Sequence, residues 1–279
     1  MTDMTAETNQ TAPVLRAQHG PTLVLTINAP KLRNALSPEV YDGVLAGLAH
    51  AAATPGIANV VLEGAQGFFC AGGDLNALAT RAALPLEERA ERIEMLHEVV
   101  RRIRSAPKPV IAAIEGGAAG AGASIALAAD LIVAAGDSYL SIAYVKAGLV
   151  PDGGATASLL RALPPQFAAE MALLGGRIPA QRLADLGVVN RVAPPGEALR
   201  LALQLGAELA QGSVAAQSAI LGLLDSAADL SFDDQLEREK QAMAAALGSA
   251  DAAEGIAAFR ERRQPDFPQY AAPGVSSRK

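Results

Sequence analysis

Gly67-Phe68-Phe69-Cys70-Ala71-Gly72-Gly73-Asp74-Leu75 and Gly116-Gly117-Ala118-Ala119-Gly120-Ala121-Gly122-Ala123-Ser124 are two stretches in which small residues crowd just where a strand should end. Each follows a short run rich in β-branched residues, Asn59-Val60-Val61-Leu62-Glu63 and Pro109-Val110-Ile111-Ala112-Ala113-Ile114, which reads as a buried strand. Small residues at such a turn admit two readings. They allow close packing of helix on strand, or they let a ligand approach main-chain N–H groups that point outward near a helix N-terminus. Two such turns side by side would make an oxyanion-receiving pocket from backbone donors alone.

Outward from these turns the chain alternates strand and helix. Residues 14–28 read as a hairpin around His19-Gly20-Pro21. Ser37 and Pro38 are a good N-cap and first position for a helix to about residue 53. Residues 86–105 carry Ile93, Leu96, Val99, Val100 and Ile103 at helical spacing. A short buried helix over 123–129 and a strand over 131–134 complete the pattern. Strands alternating with helices predict an α/β fold with parallel pairing. From residue 196 the texture changes to helices alone, over 197–211, 214–225, 232–247 and 252–262. The expected division is a polar disordered tail at 1–12, an α/β core at 13–195, a helical module at 196–264 and a frayed Pro- and Ser-rich end at 265–279.

Composition excludes several functions. The net charge of -6 gives no basic field, so nucleic acid and anionic membranes are disfavoured as partners. The lone cysteine, Cys70, rules out an internal disulfide and fits a reducing cytoplasm. The most apolar stretches are too interrupted to span a bilayer. No phosphate-loop motif occurs, and the second glycine stretch does not satisfy the dinucleotide fingerprint. His19, His50 and His97 lack zinc-ligand spacing, so no metal is expected. Gly122-Ala123-Ser124-Ile125-Ala126 approximates a nucleophile elbow, but all three histidines precede Ser124, which argues against a Ser-His hydrolase.

Taken in order, Arg33-Asn34-Ala35-Leu36, Phe69-Cys70-Ala71-Gly72-Gly73-Asp74-Leu75, Lys108-Pro109-Val110-Ile111-Ala112, Ala129-Asp130, Gly148-Leu149-Val150-Pro151-Asp152-Gly153-Gly154 and Leu186-Gly187-Val188-Val189-Asn190 resemble the crotonase (enoyl-CoA hydratase/isomerase) superfamily. The resemblance implies a spiral of ββα units with a C-terminal all-helical trimerisation region, and a homotrimer or hexamer. It implies an acyl-CoA thioester substrate, with coenzyme A arriving as part of it and no permanently bound cofactor. Carried onto this sequence, the oxyanion donors fall on the amides of Ala71 and Ala121. The CoA entrance falls on Lys31, Arg33 and Ala35, with Gly72, Gly73, Asp74 and Leu75 along the same wall. Lys31 and Arg33 either meet phosphates or sit on a solvated loop.

The resemblance also exposes a gap. The two glutamates that family hydratases use match Ser124 and Tyr144 here, so two-glutamate hydration is not expected. Asp152 is the acid remaining in that wall, and it reads either as a proton-moving residue or as part of a Pro-Asp-Gly turn. Tyr144 either donates a hydrogen bond or fills space, and Ser124 is placed to position water. The pattern is most similar to the branch acting on phenylacetate-type, oxepin-like or unsaturated CoA thioesters. Isomerisation through an enolate is the expected reaction, with hydration, hydrolysis or a catalytically silent CoA-binding role as alternatives.

Overall fold

The computed structural model describes residues 11–267. Most of the two expected tails, 1–10 and 268–279, lies outside the described residues. The strands are β1 (Val14–His19), β2 (Thr22–Ile27), β3 (Asn59–Gly64), β4 (Val110–Ile114), β5 (Gly117–Ala119), β6 (Leu131–Ala135), β7 (Tyr139–Ser141), β8 (Ile178–Pro179) and β9 (Arg191–Ala193). The helices are α1 (Pro38–Ala53), α2 (Leu75–Arg81), α3 (Leu86–Arg104), α4 (Ala121–Ala128), α5 (Ala155–Ala162), α6 (Pro165–Leu174), α7 (Ala180–Asp185), α8 (Ala198–Leu209), α9 (Val214–Ser226), α10 (Phe232–Leu247) and α11 (Ala250–Glu261).

The main sheet runs β1-β2-β3-β4-β6-β9, and a small one runs β5-β7-β8. Only the β1–β2 hairpin of the main sheet is antiparallel; every later pair in it is parallel. Parallel strands must be covered on both faces, and all five residues of β4 are buried accordingly. Alternation sends Leu23, Leu25, Ile27, Val60, Leu62 and Ile114 into the larger core beneath α1, α3 and α4. Val24, Val61, Ile111, Ala113 and Val133 face the other way, onto Ala198, Ala202 and Leu205 of α8.

The helix just beyond Pro194-Pro195 therefore covers the sheet. Two polar contacts seat it there. Asn59 Nδ2 donates to the Gly206 carbonyl at 2.8 Å, and Thr22 Oγ1 donates to Asn59 Oδ1 at 2.9 Å. A side chain at position 206 would meet Asn59 Oδ1 at 2.6 Å, so only glycine lets α8 come this close. The Glu115 carboxylate accepts the N–H groups of Gly196 (3.1 Å) and Ala198 (2.7 Å), placing negative charge at the α8 N-terminus.

Asn34 locks the loop at residues 29–34 to the segment that follows β3. Its φ of 57° lies in the left-handed region, which asparagine tolerates better than most residues. Fully buried, its Oδ1 accepts from the Ala29 N–H at 2.9 Å, and its Nδ2 donates to Ala65 O (2.9 Å) and Phe68 O (2.6 Å). Asn34→Ala strands these three backbone groups. It should lower stability by about 2–4 kcal/mol, read as a reduced urea midpoint with an unchanged denaturant slope. A loss within experimental scatter would show that the loop holds without this side chain.

Candidate active site

The two glycine-rich turns meet backbone to backbone. Cys70 pairs with Ala118 in an isolated parallel bridge. The Cys70 N–H donates to Gly117 O at 3.2 Å, and the Ala119 N–H donates to Cys70 O at 2.9 Å. Gly72 (φ 94°) lies against the start of α4: a Cβ there would sit 2.7 Å from Ala119 O and 3.2 Å from Ala121 N. Across the contact, a Cβ on Gly122 would sit 2.5 Å from Cys70 O. Neither position has room for a side chain, so both small-residue stretches are needed for the turns to touch.

The contact corrects one expected donor. The Ala71 N–H already donates to Arg33 O at 2.9 Å, and the Leu36 N–H donates to Gly72 O at 2.8 Å. These two bonds splice residues 33–36 to the turn, so the Ala71 amide belongs to the fold and cannot also receive a ligand. Among the described residues, the N–H groups of Gly73 and Ala121 make no hydrogen bond. Ala121 is the first residue of α4, where an N–H has no intrahelical acceptor and faces outward. Gly73 and Ala121 are therefore the amides open to a ligand.

The acid lies one helical turn away. Ser124, on α4, has its Oγ 2.9 Å from the Tyr144 hydroxyl and donates to the Asp152 main-chain carbonyl, also at 2.9 Å. The Tyr144 hydroxyl donates to Asp152 Oδ1 at 2.6 Å. Among the described residues, Asp152 Oδ2 makes no hydrogen bond. Burial, then the Asp152 charge and its hydrogen bond, push the Tyr144 hydroxyl far above the ordinary phenol value. Tyr144 thus stays protonated and acts as a donor. The Ser124 hydroxyl reaches the Asp152 carbonyl and Tyr144 at 2.9 Å each and the Gly120 carbonyl at 3.4 Å, so Ser124 ties α4 to the 152–154 turn. Leu96 and the Ser124 Cβ pack so closely on Gly153 that a Cβ there would lie 2.9 Å from Ser124.

The residues expected to face CoA lie on two segments, spliced by the Ala71–Arg33 and Leu36–Gly72 backbone bonds. Lys31 is exposed in a 3-10 turn, Pro30–Leu32. Arg33 is exposed too, with its guanidinium 5.7 Å from the Phe68 ring centroid. Ala35 is buried, and Leu36 forms a parallel bridge with Gly73. Asp74 caps α2 by accepting from the Asn76 N–H at 2.9 Å, and Leu75 is 66% exposed. Asp74 therefore builds the helix that follows the open amide. Cys70 is fully buried and its thiol is pushed up to about 12 by burial, which fits a packing role.

The sequence places Gly73 along the CoA-facing wall, not as the open amide that the bonding around Ala71 makes it. Tyr41 does not stand out in the sequence: it lies on the buried face of α1 with Val40, Val44 and Leu48, a helical spacing that reads simply as core.

Among the described residues, no helix is long and apolar enough to cross a membrane, and no group of His, Cys, Asp or Glu could hold a metal ion. Open amides beside a tethered carboxylate are the equipment of an enzyme that receives an oxyanion and moves a proton. Residues 18–270 match the enoyl-CoA hydratase/isomerase family, and the chain belongs to that family, within the crotonase superfamily. It is 33% identical over 245 residues to the 2,3-dehydroadipyl-CoA hydratase of Escherichia coli, covering 88% of this chain and 94% of that one. It is also 33% identical over 246 residues to the 1,2-epoxyphenylacetyl-CoA isomerase of the same organism, with coverage of 88% and 94%. The crystal structure of an enoyl-CoA hydratase from Polaromonas sp. JS666 superposes with a TM-score of 0.89 at 42% identity, over 91% of this chain and 98% of that chain.

Proposed function

We propose that this enzyme isomerises an unsaturated acyl-CoA thioester through an enolate, with Asp152 carrying the proton and the amides of Gly73 and Ala121 receiving the thioester oxygen. The observation that carries the reading is the state of Asp152: one carboxylate oxygen is tethered by the Tyr144 hydroxyl, and the other makes no hydrogen bond among the described residues. In this mechanism Oδ2 takes a proton from the α- or γ-carbon. The electron pair of the broken C–H bond moves through the thioester, forming the enolate whose oxygen lies between the two amides. The same proton returns to the other carbon, so the double bond moves and nothing is gained or lost. Tyr144 holds the carboxylate in place throughout, and Ser124 holds the turn that presents it.

Hydration is the second reading. It is favoured by the equal similarity to a 2,3-dehydroadipyl-CoA hydratase and opposed by Ser124 and Tyr144 standing where family hydratases carry glutamates. A panel of enoyl-CoA thioesters read by mass spectrometry separates the two, because hydration adds one water to the product mass. Lys31 and Arg33 are exposed near the turn and are the proposed contacts for the CoA phosphates.

The proposed assembly is a trimer or a dimer of trimers through the last helices. Phe232 (77% exposed), Met243 (60%), Leu247 (57%), Ile256 (52%) and Phe259 (86%) leave apolar surface on α10 and α11 that partner helices would cover. Light scattering at micromolar concentration should return a multiple of three chains, and a monomer would remove this assignment. For the chemistry, Asp152→Asn keeps size and the Tyr144 contact but cannot accept a proton. It should cut isomerase turnover by at least about 100-fold while acyl-CoA affinity stays within a few-fold. Unchanged turnover would reduce Asp152 to a turn residue.

A further inference from the structure

One side chain walls the face of Gly73 and has no part in the chemistry above. A Cβ built on Gly73 would lie 3.3 Å from Leu78 Cδ1 and 3.8 Å from Leu78 Cγ, so the leucine fills the place that a side chain on residue 73 would take. The local backbone puts it there. Asp74 caps α2, and the Leu78 N–H donates to the Asp74 carbonyl at 2.9 Å, which turns the leucine back over the residue before the cap.

The core does not require this leucine. None of the seven residues of α2 is buried, and Leu78 itself is half-buried. Its isopropyl group therefore keeps apolar surface in water beside the open Gly73 amide, and a hydrocarbon seated there would displace that water. The leucine near the acid is different. Leu96 is 2% exposed, belongs to the larger core, and its Cδ2 would lie 3.1 Å from a Cβ on Gly153. Leu96 is held by the fold, whereas Leu78 is available to whatever the Gly73 amide receives.

We propose that Leu78 sets the specificity of the site at the substrate's α-carbon, admitting unsaturated acyl-CoA thioesters that are unbranched there and rejecting those with an α-methyl group. This rests on the isomerase reading above. An oxygen held about 2.7–3.1 Å from the Gly73 nitrogen has its α-carbon two bonds away, roughly 2.4 Å further at most. Leu78 Cδ1 is 3.3 Å from the Gly73 Cβ position, itself roughly 2.5 Å from the same nitrogen. The substituents of the α-carbon and the isopropyl group thus share the space around residue 73. The other arm of the thioester, the amide-rich pantetheine, finds no hydrogen-bond partner in a leucine, which assigns the side chain to the acyl arm. In an apolar pocket one extra methylene changes kcat/KM by roughly 10- to 200-fold.

The test uses two 3-enoyl-CoA thioesters of equal chain length on the full-length enzyme, one with two hydrogens at the α-carbon and one with an α-methyl branch. Wild type should favour the unbranched substrate in kcat/KM by at least about tenfold. Leu78→Ala should bring the ratio of the two values close to one, chiefly by raising kcat/KM for the branched thioester. Leu78→Met, of similar volume but more pliable, should give an intermediate ratio. The affinity for free CoA, which has no acyl arm, should stay the same in both variants. Equal kcat/KM in wild type, a preference that survives Leu78→Ala, or a loss of free-CoA affinity in the variants overturns the Leu78 assignment and leaves the isomerase reading standing. Failure of wild type to turn over either thioester overturns the isomerase reading itself, and the Leu78 assignment with it.

Discussion

The structure depends on a main-chain contact between two turns that have no side chains to keep them apart. The end of β3 and the end of β4 are joined through Cys70 and Ala118, with Gly72 and Gly122 each occupying space that a single methyl group would close. The contact brings an extended segment over the first turn of α4, and the amides left over there are open because everything around them is already paired. Asn34 and the two bonds from residues 33–36 hold the outer side of the same segment. The two amides are thus left open by backbone geometry alone, and in the proposed reading they form an anion-receiving site set before substrate arrives, which is where such donors are most effective.

The acid side is built on the other principle, from side chains. Tyr144 is held protonated by its burial and by the Asp152 charge beside it, so its one proton goes to Asp152 Oδ1. The Ser124 hydroxyl spans Tyr144 and the Asp152 carbonyl. Where family hydratases carry two acids, this chain has two hydroxyls that orient a third residue. α4 links the halves, since Ala121 opens it and Ser124 lies one turn along.

Much of this was legible in the sequence where the pattern was long. α1 and α3 declare themselves by apolar spacing, and Ser37 does cap α1, its Oγ accepting the Val40 N–H at 3.4 Å. The hairpin and the buried strands β3, β4 and β6 follow from their β-branched runs. Short elements escape this reasoning, because two or three residues such as β8 or β5 are strands only through their neighbours. α8 reads in sequence as the first helix of a separate module, yet Gly206 and Asn59 bring it onto the sheet. The open amide shows the same limit at one residue's scale. Residues 71 and 73 are two apart on an extended segment, and Arg33 claims the first amide through a contact that no local pattern reveals.

The central claim is that the thioester oxygen is received by the amides of Gly73 and Ala121 while Ala71 stays bonded to Arg33. A crystal structure with a bound acyl-CoA tests it directly. The account predicts that oxygen at about 2.7–3.1 Å from both nitrogens, with the Ala71 N–H still on the Arg33 carbonyl. A thioester oxygen held by side chains, or by an Ala71 amide released from Arg33, would contradict it.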